Sequence, residues 1–117
     1  MPKELEHEVQ KEICKYLDLR KIFYFAVPNG GHRHIKVATK LKSEGVKAGI
    51  PDLCILKDGR AYFIEVKRPK TVDSPKGRVT KNQVEVFGKI TNEGCKVEVA
   101  YSVQDVEEIL RSWRIFD

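Results

Sequence analysis

Two short apolar runs joined by four residues constrain this chain more than any other feature. Gly49-Ile50-Pro51-Asp52-Leu53-Cys54-Ile55-Leu56 and Ala61-Tyr62-Phe63-Ile64-Glu65-Val66-Lys67 flank Lys57-Asp58-Gly59-Arg60. Runs of this length, rich in branched and aromatic residues, read as buried strands. Asp-Gly between them is a strong hairpin signal, because a tight turn that matches strand twist needs positive φ at both central positions. A hairpin closed there brings Asp52 and Glu65 to the same end of two paired strands. Side chains alternate along a strand, so Glu65 and Lys67 share one face. Two carboxylates and an ammonium then end an otherwise apolar hairpin. Burying such charges is costly unless they are paired or bind a cation.

That donor set suits a hard divalent ion. Mg²⁺ takes a few carboxylate oxygens, water and phosphate in preference to a closed protein cage. It would neutralise the carboxylates and activate a bound water. Lys67 would hold or deprotonate the attacking water, since a desolvated ammonium near cations gives up its proton readily. The competing reading gives Asp52 a strand-end role and pairs Glu65 with Lys67, with no chemistry at all. For an isolated Asp…Glu-x-Lys that reading is the default, because charged strand ends are common and surface pairs contribute little.

The surroundings shift the balance. Pro51-Asp52 followed across a hairpin by Glu65-Val66-Lys67 resembles the PD-(D/E)xK nuclease superfamily. Pro28-Asn29-Gly30-Gly31, the stretch Leu41 to Asp52, Ile64-Glu65-Val66-Lys67-Arg68-Pro69 and Val79-Thr80-Lys81-Asn82-Gln83 are, in that order, similar to the VRR-NUC family, over roughly residues 4 to 104. Pro-Asp with Glu-x-Lys is a weak signal; the full ordered set is a strong one. The resemblance implies an α/β, restriction-endonuclease-like core, with a four-stranded mixed sheet flanked by helices. It also implies a Mg²⁺- or Mn²⁺-dependent endonuclease acting on DNA, with branched DNA such as a four-way junction as the target. The small stand-alone members of the family occur in phages and bacteria.

Length suits one domain over residues 1–117 with a single modest core. Lys plus Arg number 22 against 17 Asp plus Glu, and the resulting +5 favours a polyanionic partner. Basic residues thicken from His32 to Lys47 and from Lys67 to Lys81. No signal peptide or membrane-length apolar run is visible, so a cytoplasmic or nucleoid-associated location is expected, with no membrane partner. Cys14, Cys54 and Cys95 lack metal-type spacing and read as free buried thiols. His32 and His34 have no matching Cys/His pair elsewhere and make poor metal ligands. There is no repeat or low-complexity tract.

Along the chain, Leu5, Val9, Ile13 and Leu17 mark an amphipathic helix from Lys3 to Leu19. Ile22 to Val27 reads as a strand. Pro28 to Gly31 is a turn. His34 to Glu44 is a short helix carrying Ile35, Ala38 and Leu41, closed by Gly45. After the hairpin, Pro69 to Arg78 holds prolines, glycine and charges and is expected to be a mobile loop. Thr80 is an N-cap candidate for a helix to about Asn92, with Val84, Phe87 and Ile90 inward. Lys96 to Tyr101 alternates as a half-buried strand. Ser102 opens a last helix whose apolar side is Val106, Ile109, Leu110 and Trp113.

Further site residues come partly from spacing and partly from the resemblance. Glu6 and Gln10 lie four apart on one side of the first apolar stripe, Glu8 and Glu12 on the other, and periodicity does not choose between them. The resemblance selects Glu6 as an additional carboxylate of the metal shell, with Glu8 the fallback and a solvated glutamate the bland alternative. It also points Gln83 at the metal site, where an amide bonds water or phosphate, and makes the Val66 carbonyl a metal ligand. Asn29 with Gly30 and Gly31 is either a plain turn or a place where backbone N–H groups approach phosphate. Arg33, Lys36, Lys40, Lys47, Lys70, Lys76, Arg78 and Lys81 are candidate phosphate contacts, which position DNA without reading sequence. No sequence-reading module is evident, so the substrate is expected to be chosen by shape. A homodimer would supply paired cuts, and Trp113, Ile115 and Phe116 are candidates either for its interface or for the chain's own core. The rival functions are a non-catalytic DNA-binding module and a restriction-type duplex endonuclease.

Overall fold

The turn at Lys57-Asp58-Gly59-Arg60 forms with Asp58 and Gly59 at φ 50° and 78°, the left-handed pair that a two-residue hairpin demands. In the computed structural model, which describes residues 2–28 and 35–116, this turn joins β2 (Leu53–Lys57) to β3 (Arg60–Val66). Pairing runs from Lys57↔Arg60 to Leu53↔Ile64. The next residues outward, Asp52 and Glu65, therefore face each other at the open end.

The elements run α1 (Pro2–Leu19), β1 (Tyr24–Ala26), α2 (Ile35–Ser43), β2, β3, α3 (Lys81–Asn92), β4 (Lys96–Ala100) and α4 (Val103–Ser112). The sheet order is β1-β2-β3-β4. β1 joins β2 antiparallel, and β4 joins β3 parallel. The expected four-stranded mixed sheet with flanking helices is present. Among the described residues no helix is long and apolar enough to cross a membrane.

One sheet face carries Leu53, Ile55, Tyr62, Ile64, Val66 and Ala100. It packs on Val9, Ile13 and Leu17 of α1 and Val106 and Leu110 of α4. Full burial of each such aliphatic side chain contributes about 1.5–3 kcal/mol. After α4 the chain folds back on this core. Ile115 is buried, Trp113 stacks at a tilt on Tyr62 with centroids 5.1 Å apart, and the Arg20 guanidinium lies 3.9 Å over the Phe116 ring. Of the two uses open to Trp113, Ile115 and Phe116, the chain's own core takes them, because their apolar area finds partners within the chain. Cys54 is buried, while Cys14 and Cys95 are only half-buried; all three are free.

Two sequence expectations about the elements need revision, the extent of the first strand and the side of α3 that Val84 takes. The β1 strand is shorter than Ile22 to Val27. Lys21 adopts φ 58° and the Ile22 N–H bonds the Leu17 carbonyl, so these residues close α1 before the strand begins. The α2 helix buries none of its residues, and Ile35 is 75% exposed, because α2 lies away from the core. Val84 is 60% exposed. The bonds that Gln83 makes fix the rotation of α3, and Val84 turns outward. The loop Pro69 to Arg78 carries hydrogen bonds of its own. Arg68 Nε and Nη2 donate to the Pro75 carbonyl at 3.1 and 2.8 Å, Gly77 N–H returns to the Arg68 carbonyl at 2.7 Å, and Thr71 bonds Ser74.

Candidate active site

The open end of the hairpin gathers the charges that the sequence placed there. Asp52 Oδ2 accepts the Val66 N–H at 2.7 Å, so the carboxylate continues the ladder where β2 ends. Lys67 N–H bonds the Ala100 carbonyl of β4. Strand alternation thus turns the N–H and C=O of Val66 away from β4, towards the side of Asp52. Glu65 is 3% exposed and Lys67 9%. Lys67 Nζ lies 3.6 Å from Glu65 Oε2, and Gln83 Nε2 donates to the same oxygen at 3.0 Å. Glu65 Oε1 is buried with no partner.

Leaving a buried carboxylate oxygen unpaired is expensive. Burial, and then the Asp52 charge, push the Glu65 carboxyl up to about 8, although Lys67 opposes the shift. Burial also raises Asp52, against the Val66 hydrogen bond. With no cation, a proton shared between Glu65 and Asp52 is the cheapest neutraliser. That unmet demand for positive charge, in an all-oxygen setting, fits a hard divalent ion. Among the described residues no group of three or more His, Cys, Asp or Glu side chains is arranged to hold a metal. A site here would rest on few protein ligands, as Mg²⁺ sites usually do.

The Glu6 and Glu8 alternatives separate clearly. Glu6 is half-buried, and burial raises its carboxyl; Lys67, Asp52 and the backbone N–H of Arg68 are the groups it feels. Glu8 is exposed and pairs with Lys11 at 3.6 Å, within α1.

The N-terminal turn of α3 reaches Glu65 through Gln83. Gln83 Oε1 accepts the Thr80 N–H at 2.9 Å and Thr80 Oγ1 accepts the Gln83 N–H at 3.1 Å, a reciprocal cap. Asn82 abuts Gly49 in the approach to Asp52. A Cβ on Gly49, which sits at φ +88°, would lie 2.8 Å from Asn82 Nδ2. The sequence reading did not single out Asn82 or the fit of Gly49, since neither carries a charge or a periodic position. Gly77 had no visible role either. A Cβ there would stand 3.2 Å from Arg68 N and 3.4 Å from Lys67 Cβ, a tight fit that a side chain would relieve only by shifting the loop a few tenths of an ångström from Lys67.

The basic candidates among the described residues are surface residues. Lys36 and Lys40 are exposed on α2, and Lys47, Lys70, Arg78 and Lys81 are exposed beyond it. Lys76 Nζ lies 5.0 Å over the Tyr101 ring. Asn29, Gly30 and Arg33 lie outside the described residues. A groove between α2 and α3 is floored by Leu41, Val46 and Val86 and bordered by Lys42, Lys47 and Lys89. It reaches Asn82, the neighbour of Gln83. Lys42 and Lys89 were not singled out, because nothing in the order of residues places α2 beside α3.

Comparison with known proteins agrees with this geometry. No curated protein matches the chain. A solved structure described as a VRR_NUC domain protein is 28% identical to it, with a TM-score of 0.68, covering 94% of this chain and 88% of the other. Residues 5–104 match the VRR-NUC domain, a span that holds both hairpin strands, the Glu65-Val66-Lys67 tripeptide and the cap that binds it. The chain belongs to the VRR-NUC family of nuclease domains.

Proposed function

We propose that the chain is a metal-dependent, structure-selective endonuclease that hydrolyses phosphodiester bonds in DNA, with branched DNA such as four-way junctions as its substrate. The observation that carries the reading is Glu65, buried beside Asp52 with one oxygen unpaired. Asp52, Glu65 and the Val66 carbonyl would hold Mg²⁺ or Mn²⁺, with Glu6 supporting them through water. The ion would supply charge neutralisation and a more acidic bound water. Lys67, whose Nζ lies 3.6 Å from Glu65 Oε2, would hold or deprotonate the attacking water beside the phosphate. Gln83 keeps Glu65 in place. Lys36, Lys40, Lys47, Lys76, Arg78 and Lys81, with Asn29, Gly30 and Arg33, contact phosphates and set the path of the strand.

One chain supplies one such centre, and resolving a junction takes two symmetric cuts. A two-fold homodimer meets that need, its axis matching the approximate symmetry of a junction. The deciding experiment is a cleavage panel of duplex, single-stranded, flap and four-way DNA with Mg²⁺, Mn²⁺ or excess EDTA, alongside light scattering. Metal-dependent paired nicks in the junction by a dimer are expected. Robust cleavage in EDTA would refute the metal mechanism, and a monomer that prefers linear duplex would refute the junction assignment. Charge reversal at Lys40 and Arg78 should weaken binding to all DNA sequences alike and flatten its salt dependence.

A further inference from the structure

The two ends of a glutamine amide differ in one respect: the oxygen only accepts and the nitrogen only donates. At Gln83 the helix cap makes the choice. The Thr80 N–H, 2.9 Å from Gln83 Oε1, needs an acceptor. Turning the amide over would set an NH2 against that N–H and an oxygen against the Glu65 carboxylate. The NH2 is therefore delivered to Glu65 Oε2, 3.0 Å away, where Lys67 Nζ also lies. Glu65 Oε1, on a side chain 3% exposed, is left with no donor. One oxygen of the carboxylate is held by Gln83 beside Lys67, and the other, on the side left for a cation, has no protein donor assigned to it.

We propose that Thr80 is a positioning residue of the nuclease site. Its hydroxyl, which accepts the Gln83 N–H at 3.1 Å, holds Gln83 where the amide bridges the Thr80 N–H and Glu65 Oε2, and so keeps the other Glu65 oxygen turned to the metal. The inference rests on the metal-site reading above. A Thr80 that only capped α3 would change helix stability and leave metal affinity alone. A Thr80 that orients Glu65 changes metal affinity while the fold persists, and only where Gln83 is present to transmit the effect.

Calorimetric titration with Mn²⁺ tests this on the full chain, with melting temperature and circular dichroism as controls. Thr80→Ala should bind Mn²⁺ about tenfold more weakly, as loss of an outer-shell contact typically does. Thr80→Ser should restore wild-type affinity. Gln83→Met should weaken binding at least as much, and adding Thr80→Ala to it should change nothing further. That non-additivity is the signature of one residue acting through another. In cleavage, Thr80→Ala should lower kcat and leave KM for DNA nearly unchanged. Wild-type Mn²⁺ affinity in Thr80→Ala, or a fully additive double variant, overturns the proposal. If Thr80→Ala disrupts α3, Gln83→Met decides, and wild-type affinity there overturns it. Glu65→Ala keeps the two readings apart. If it binds Mn²⁺ like wild type, the metal site itself is wrong; if it loses binding and the cycle is additive, only the role of Thr80 is.

Discussion

Tyr62, Ile64 and Val66 point to one face of β3, while Phe63, Glu65 and Lys67 point to the other, and the two sets meet different surroundings. The first set is sealed between α1 and α4, in apolar contact. The second lies under α3, whose residues are at most half-buried, and ends in a carboxylate with an unsatisfied oxygen. The difference shows where this fold places its stability and where it tolerates strain. The α1/α4 face supplies hydrophobic stabilisation that the site does not need to supply. The α3 face can then keep like charges close together and a polar atom unpaired, a cost that a cation would remove under the proposed function.

Substitutions that touch only one face sharpen this contrast. The largest effect is expected on chemistry. Asp52→Asn and Glu65→Gln each preserve shape, and Asp52→Asn keeps an acceptor for the Val66 N–H. Each should lower the cleavage rate by roughly a hundred- to a thousandfold, with melting temperature close to or above wild type. Cleavage by either variant near the wild-type rate at saturating Mg²⁺ would break the assignment of function to this face.

Next in size is a loss of stability from the opposite face. Ile64→Ala, one residue from Glu65, opens a cavity in the α1/α4 core and should cost about 2–5 kcal/mol in denaturant unfolding. Cleavage per folded molecule should survive at low temperature. If the rate fell instead while stability held, the two faces would not be separable.

The third effect is a pH dependence of the metal-free protein. Glu65 is raised to about 8 in the fold from an ordinary glutamate value of 4.5. Between those two values the folded state holds more protons than the unfolded state, so stability falls as pH rises. Above that window the full penalty applies, and below it the penalty vanishes. Unfolding curves from pH 5 to 8 should show this decline. Glu65→Gln should flatten it, and Mg²⁺ should offset it at the alkaline end. A rise in stability with pH that tracked Glu65 would contradict the sign.

The smallest effect is expected at Val84. Its exposure predicts that Val84→Ala changes stability by less than about 0.5 kcal/mol, whereas the inward orientation read from the sequence would predict a larger loss. Chemical denaturation distinguishes the two.

The hairpin, the Asp52–Glu65 juxtaposition, the α1 stripe and the Thr80 cap were legible in the sequence because each depends on residues close along the chain. Asp-Gly imposes its turn locally, and a strand's alternation assigns Glu65 and Lys67 to one face wherever the sheet is placed. The ordered motifs between Pro28 and Gln83 carried the family. Val84 was misjudged for the converse reason. Apolar periodicity says that a helix has a greasy side, but it does not say whether anything is there to cover it. The approach of Glu6 to Lys67 and Asp52, the parallel pairing of β3 with β4, the return of Trp113 and Phe116 to the core and the grip of Gln83 on Glu65 all join residues distant in sequence. No local preference encodes them. They are decided when α1 and α3 dock against the same end of the sheet, where packing and charge select among arrangements that the chain alone leaves equal.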